Sequence, residues 1–220
     1  MLLVALTAAT GAVDAVSWLG LGKVFSAFMT GNIAFLAFRM GGAAGPSVPK
    51  VLASLLAFGL GALVAARIVR PTSDSGLVWP HRVTVALGAV VAVELVFLAV
   101  WIAVGGHPSQ GAGERLIVLF AFAMGMQTGA VFSLGVRAVF TTATTATWAV
   151  LMADVVSWSS SRSDRRRLAA VIAGLFAGAV AGTVLVIHVR TWAPALPPAI
   201  TVLVVAVAAV ALRAPAGSRA

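Results

Sequence analysis

The chain has 220 residues, 61% of them hydrophobic and 10% charged, with a mean hydropathy of +1.07 and a formal net charge of +9. Soluble domains are about half apolar and about a quarter charged, so this composition excludes one: its apolar surface exceeds what a soluble fold of this length can bury. The 15 cations stand at the ends of apolar blocks rather than in one patch, which points to membrane anchoring and argues against nucleic acid as a partner. Cysteine is absent, which excludes disulfides, thiolate metal sites and thiol catalysis.

Eight apolar segments follow one another: 2–21, 27–41, 50–69, 83–104, 114–136, 141–158, 168–189 and 196–213. Hydrocarbon needs about 20 such residues per helical crossing, so the expected class is an all-α polytopic membrane protein. The first segment begins at Leu2 without a basic stretch ahead of it, unlike a cleaved signal peptide. Connectors carry breakers, as at Gly41-Gly42, Pro71, Pro80 and Gly105. Trp18, Trp79, Trp101, Trp158 and Trp192 lie near segment ends, where an aromatic belt is expected.

In the first segment Thr7, Thr10, Gly11, Asp14 and Ser17 recur every three or four residues and share one helix face. Asp14 is the costly member, because a carboxylate in hydrocarbon needs a partner, water or a proton. Two readings fit it: a proton- or ion-coupling group with Ser17 beside it, or a buried acid satisfied by hydroxyls and backbone N–H groups of the following turn.

That turn, Val24-Phe25-Ser26-Ala27-Phe28-Met29-Thr30-Gly31-Asn32, begins before a helix would start. Val24 and Phe25 favour extended chain, while Ser26 or Thr30 is suited to cap a helix just after them. Four extended residues cover about 13 Å and 13 helical ones about 20 Å, enough together to cross a hydrocarbon core of about 30 Å. A break of this kind at membrane depth must pair with protein or line a wet cavity, and transporters bind solutes at such places. The plainer alternative is a tight loop and a short ordinary helix.

The third segment places Ala57, Gly61 and Ala65 on one face, and the seventh places Gly174, Gly178 and Gly182 likewise; both read as close-packing helices between the halves. Glu94 sits mid-way along the fourth segment as a second acid well inside an apolar block, either a proton carrier or a neutral carboxyl bonded to a neighbour. Gln127 is a polar residue inside the fifth. The sixth opens on Thr141, Thr142, Thr144 and Thr145.

Shifting the chain by 115 residues lays Val139-Phe140 under Val24-Phe25, Thr145 under Thr30 and Thr147 under Asn32, with nine identities in the 23 positions from Ala15 to Ala37. Two repeats of about four segments are therefore expected, 1–110 and 111–220, with broken stretches at 24–32 and 139–147. Thr30, Asn32, Gln127, Thr141, Thr144 and Thr145 are the candidate solute-binding residues. Asp14, Ser17 and Glu94 are the candidate coupling residues. A helix start rich in hydroxyls suits a polar or anionic solute, or its hydroxyls bond carbonyls one turn back. With eight crossings the cations divide nine to six and favour both termini in the cytoplasm. One re-entrant segment would instead put Arg67–Arg82 and Arg162–Arg167 on one side and invert the repeats.

Gly11-Ala12-Val13-Asp14-Ala15, followed by Leu19-Gly20, Val24-Phe25 and Met29-Thr30-Gly31-Asn32, resembles the N-terminal signature of the YoaK-like family of bacterial inner-membrane proteins. Gly125-Met126-Gln127 with Val139-Phe140 and Thr145 is similar to the family's second signature, departing from it at Ala146, where a Gly is usual. The resemblance implies an integral membrane protein, sometimes described as a permease, without an assigned substrate. His81, His107 and His188 are scattered, and there is no metalloprotease, nucleophile-elbow or phosphate-loop motif, so neither an enzyme nor a cofactor or metal protein is expected. The leading expectation is a small secondary transporter for an unknown polar or anionic solute, proton-coupled, as a monomer or homodimer in the bilayer. The alternative is a non-transporting scaffold or sensor.

Overall fold

The structure, a computed structural model, describes residues 1–70, 79–135, 144–157 and 162–211. Among the described residues eight α-helices run in order: α1 Leu2–Gly20, α2 Met29–Met40, α3 Val48–Ile68, α4 His81–Ala103, α5 Gln110–Phe132, α6 Thr144–Ser157, α7 Arg162–His188 and, after a 3-10 turn at Arg190–Ala195, α8 Leu196–Ala211. Among the described residues six spans are long and apolar enough to cross a membrane, namely α1, α3, α4, α5, α7 and the stretch from the 3-10 turn through α8. The 12 residues of α2 and 14 of α6 are too short: at 1.5 Å per residue they reach only about 18 and about 21 Å. The chain is a multi-pass membrane protein.

Small residues decide which spans meet. A Cβ on Gly11 would run into Leu175 O, and one on Gly178 into Ala8 O, while Gly174 faces Val4 and Gly182 faces Ala12 and Ala15. These pairs ascend together, so α1 and α7 lie parallel with backbones in contact. In the same way Gly125 faces Phe58 O, Gly61 faces Phe122 O and Gly129 faces Ala62 and Ala65, so α3 and α5 are parallel. Without side chains between them, such helices gain dispersion contact along their backbones. The face formed by Ala57, Gly61 and Ala65 and the one formed by Gly174, Gly178 and Gly182 are thus the close-packing faces read from sequence. These two pairs are the most extensive helix contacts, and both cross the boundary at residue 110.

The ends of α1, α4 and α7 share one membrane face. A Cβ on Gly20 would press on Trp101, Trp101 Nε1 donates to Arg190 O at 2.9 Å, and Arg190 Nε donates to Gly106 O at 2.8 Å. The start of α3 lies there too, since Lys50 Nζ reaches Leu21 O at 3.5 Å. The chain therefore leaves α1 and enters α3 on the same face. The break after α1 is present, with non-helical backbone from Leu21 to Phe28 leading into a half-helix, but it does not cross: it turns back. Among the described residues six spans can cross where eight apolar segments were drawn, and α1 and α5 run in opposite directions.

The core is apolar and tight. Phe97 and Phe120 stack beside Trp101, and all three are fully buried. Trp101 and Trp79 thus belong to the protein interior and not to an interfacial belt, because each indole N–H finds a partner there, Thr84 Oγ1 for Trp79. Trp192 remains exposed as a belt residue would be, and Trp158 lies outside the described residues.

Candidate functional site

The site is assembled from α1 and the chain that folds back on it. At the end of α1 the backbone reverses through Gly22 (φ +97°) and Lys23 (φ +62°). The left-handed region costs Gly little, and the second residue is held there by the turn. Val24 and Phe25 then run back along α1 until Ser26, Ala27 and Phe28 lie level with Asp14. That carboxylate is six residues before the helix end, about 9 Å in from the membrane face.

Asp14 holds this turn. Its Oδ1 accepts from Ser26 N at 2.9 Å and Ala27 N at 2.8 Å, and its Oδ2 from Phe28 N at 3.1 Å. Successive N–H groups pointing at one spot form an anion-binding concavity, and the anion here is the protein's own. Neither Ser26 nor Thr30 caps α2; the N-cap is Phe28, without a side-chain cap bond. Ser26 Oγ instead shares a buried 2.7 Å hydrogen bond with Ser17 Oγ, which ties the turn to α1 a second time.

Asn32 makes a second clasp. Its Oδ1 accepts from Phe25 N at 3.0 Å, and its Nδ2 donates to Phe25 O at 2.7 Å and to Ser54 Oγ at 3.2 Å. Ser54 also donates to Phe25 O at 2.7 Å, so α3 is pinned to the break. Unpaired backbone inside hydrocarbon would cost several kcal/mol per group; these side chains supply what neither helix nor sheet supplies there.

Beside the turn is a cavity of about 480 Å³, lined by Thr10, Gly11, Asp14, Ala15, Trp18, Leu19, Phe25, Phe28, Thr145, Leu175, Ala179 and Thr183. It brings together the polar stripe of α1, the first break, the opening turn of α6 and a face of α7. Trp18 stacks on Phe25 with centroids 4.8 Å apart, and Phe28 meets Phe25 edge-on at 5.2 Å. Among the described residues the wall is aromatic and aliphatic, with one carboxylate and three threonines.

The residues singled out from sequence fall into distinct places. Asp14 and Thr145 line the cavity. Ser17 and Asn32 are buried behind it, holding the turn. Thr30 is exposed and does not line the cavity. Gln127 is buried between α5 and α1, its Nε2 donating to Thr10 Oγ1 at 2.9 Å and Leu6 O at 3.4 Å. Thr10 in turn donates to Leu6 O at 3.0 Å, and Thr7 to Leu3 O at 2.8 Å, the one-turn-back bonding that threonine favours in apolar helices. Thr144 opens α6, and Thr141 lies outside the described residues, as does Phe140. Glu94 is fully buried on α4, away from this cavity. Thr201 on α8 faces it but spends its hydroxyl on Pro197 O, and neither carboxyl oxygen of Glu94 accepts a hydrogen bond among the described residues.

Trp18, Ser54 and Thr183 were not singled out from sequence as site residues. Ser54 and Thr183 are hydroxyls inside apolar helices, the pattern that marked Thr7 and Thr10, but each stands without a polar stripe around it. Asp154, near the end of α6, is buried and lies 3.7 Å from Arg165 on α7.

Over residues 2–208 the chain matches the family described as "Protein of unknown function (DUF1275)". It is similar to the UPF0700 transmembrane protein YoaK of Bacillus subtilis (strain 168), with 34% identity over 145 residues, covering 66% of this chain and 62% of that protein. The chain thus spans less than two thirds of the length of this curated relative. No solved structure matches it.

Proposed function

This chain belongs to the DUF1275 family, and from the geometry of the turn we propose that it is a small secondary transporter rather than an enzyme, with its solute site in the cavity beside Asp14. The observation that carries the reading is that one cavity meets the Asp14 carboxylate, the first break at Phe25 and Phe28, and the start of the second half-helix at Thr145. Non-helical backbone at membrane depth belongs where a cavity is lined. A dry, fully packed centre would have favoured a scaffold.

The halves are inverted repeats. In support, two α1–α7 contacts have counterparts in the α5–α3 pair: Gly11 with Leu175 O matches Gly125 with Phe58 O, and Gly178 with Ala8 O matches Gly61 with Phe122 O. The offset is 114 residues between α1 and α5, one fewer than in the sequence alignment, and 117 between α3 and α7. With three crossings per half, Arg67, Arg70, Arg82 and the Arg162–Arg167 run share one face. Among the described residues that face holds seven Lys and Arg, and the other holds Lys23, Arg39, Lys50, Arg115 and Arg190. The arginine-rich face is cytoplasmic by the positive-inside rule. Because the chain has no cysteine, a single Ala43→Cys should react with an impermeant maleimide added outside the cell, and Ser163→Cys should not; the reverse pattern overturns the orientation.

Asp14 is the coupling group, with Glu94 as a second candidate. Proton-driven uptake into proteoliposomes should be lost in Asp14→Asn while the purified variant stays monodisperse. Unchanged uptake in that variant would defeat the coupling role. A non-transporting scaffold or sensor is the second reading, and what favours it is that Asp14, Ser17 and Asn32 all hold the turn in place.

A further inference from the structure

The cavity's charge and walls restrict what can occupy it. A carboxylate offers about four acceptor positions, and three at Asp14 are filled by Ser26, Ala27 and Phe28 N–H groups. Those donors lower the cost of holding an anion but bring no compensating charge. Among the described residues no Lys, Arg or His lies within ion-pair distance of Asp14, and none lines the cavity. An anion entering there would meet a like charge whose backbone donors are already taken, and at low dielectric that repulsion is large.

The opposite sign is favoured twice. The unfilled acceptor position of Asp14 suits an ammonium hydrogen or simply a nearby positive centre, and Trp18, Phe25 and Phe28 supply aromatic surface that attracts cations. Size then separates classes of cation. About 480 Å³ with mostly apolar walls suits a compound of metabolite size. A bare metal ion would need several oxygen ligands, and among the described residues no group of three or more acidic or histidine side chains could hold one.

We propose that this cavity binds an organic cation with an apolar or aromatic body, its positive centre at Asp14 and its body against Trp18 and Phe28. The proposal rests on the transporter reading for its biological sense but not for its test. Equilibrium dialysis of the purified full chain in detergent, corrected with protein-free micelles, would compare tetraphenylphosphonium with the isosteric anion tetraphenylborate. Saturable binding is expected for the cation alone. Asp14→Asn should weaken it at least tenfold. So should Thr183→Phe, which fills the cavity from α7 without touching any hydrogen bond of the turn, and which decides the matter should Asp14→Asn fail to fold. Equal binding of the two probes, or cation binding indifferent to Thr183→Phe, overturns the proposal. Cation binding without uptake into proteoliposomes would remove the transporter and leave the site. Uptake of an anionic solute without cation binding would do the reverse.

Discussion

Asp14 and Glu94 are the two acids that the sequence sets well inside apolar segments, each a single carboxyl between hydrophobic neighbours, Val13 and Ala15 for one and Val93 and Leu95 for the other. The structure gives them opposite surroundings. Asp14 gathers three backbone N–H groups from a turn folded back along its helix and borders a cavity. Glu94 is fully buried on α4, and among the described residues neither of its oxygens accepts a hydrogen bond. The difference is made by the chain that follows. After α1 comes a break whose N–H groups lack helix partners and seek a carboxylate, whereas the residues after Glu94 continue a helix that satisfies its own backbone. An acid in a membrane helix therefore acquires its role from the unpaired backbone near it.

Removing the acids should separate them most sharply. Asp14→Ala leaves three N–H groups without an acceptor at about 1–3 kcal/mol each, so a stability loss of at least about 3 kcal/mol is expected. Thermal unfolding of the detergent-purified protein should show a drop of many degrees or loss of the monodisperse species; a near-native transition would mean the turn does not depend on Asp14. Asn32→Ala opens the clasp on Phe25 and should cost about 2 kcal/mol, read in the same assay and as faster proteolysis near residues 21–28. Glu94→Leu should move the other way, because replacing an unsatisfied buried polar group by an apolar one of similar size is neutral or stabilising, by about 1 kcal/mol. Destabilisation comparable to Asp14→Ala would erase the contrast and point to a partner for Glu94. The smallest effect belongs to Ser17→Ala, which removes one neutral hydrogen bond to Ser26 and should cost about 1 kcal/mol or less.

Much of this was legible in the chain. The apolar blocks are local features, so the helices fall close to the expected segments, and the four-residue spacing at Gly61 and Gly178 names the faces that pack. Val24-Phe25, poor at starting a helix, marks a break that is present. The polar stripe of α1 identifies the helix that bears the site. Less legible was the use of each polar residue. Asn32 looked available to a solute, yet its amide is engaged at both ends, and Thr30, two residues before it, faces outward. Neighbours on a helix point in different directions, and near a break the helical phase starts at a residue that sequence fixes only to within a few positions.

By itself the sequence determined that the protein lives in a bilayer, that it is helical, where its backbone breaks and which helix carries an acid beside that break. These follow from hydropathy and spacing, which depend on residues close together in the chain. Only the tertiary structure decided that the break returns to the face it left and that Asp14 fills its own anion site. It also decided that α1 lies parallel to α7 and α3 to α5. Those outcomes turn on which distant group satisfies each unpaired N–H and which small-residue faces meet, and such contacts join residues too far apart for a local pattern to encode.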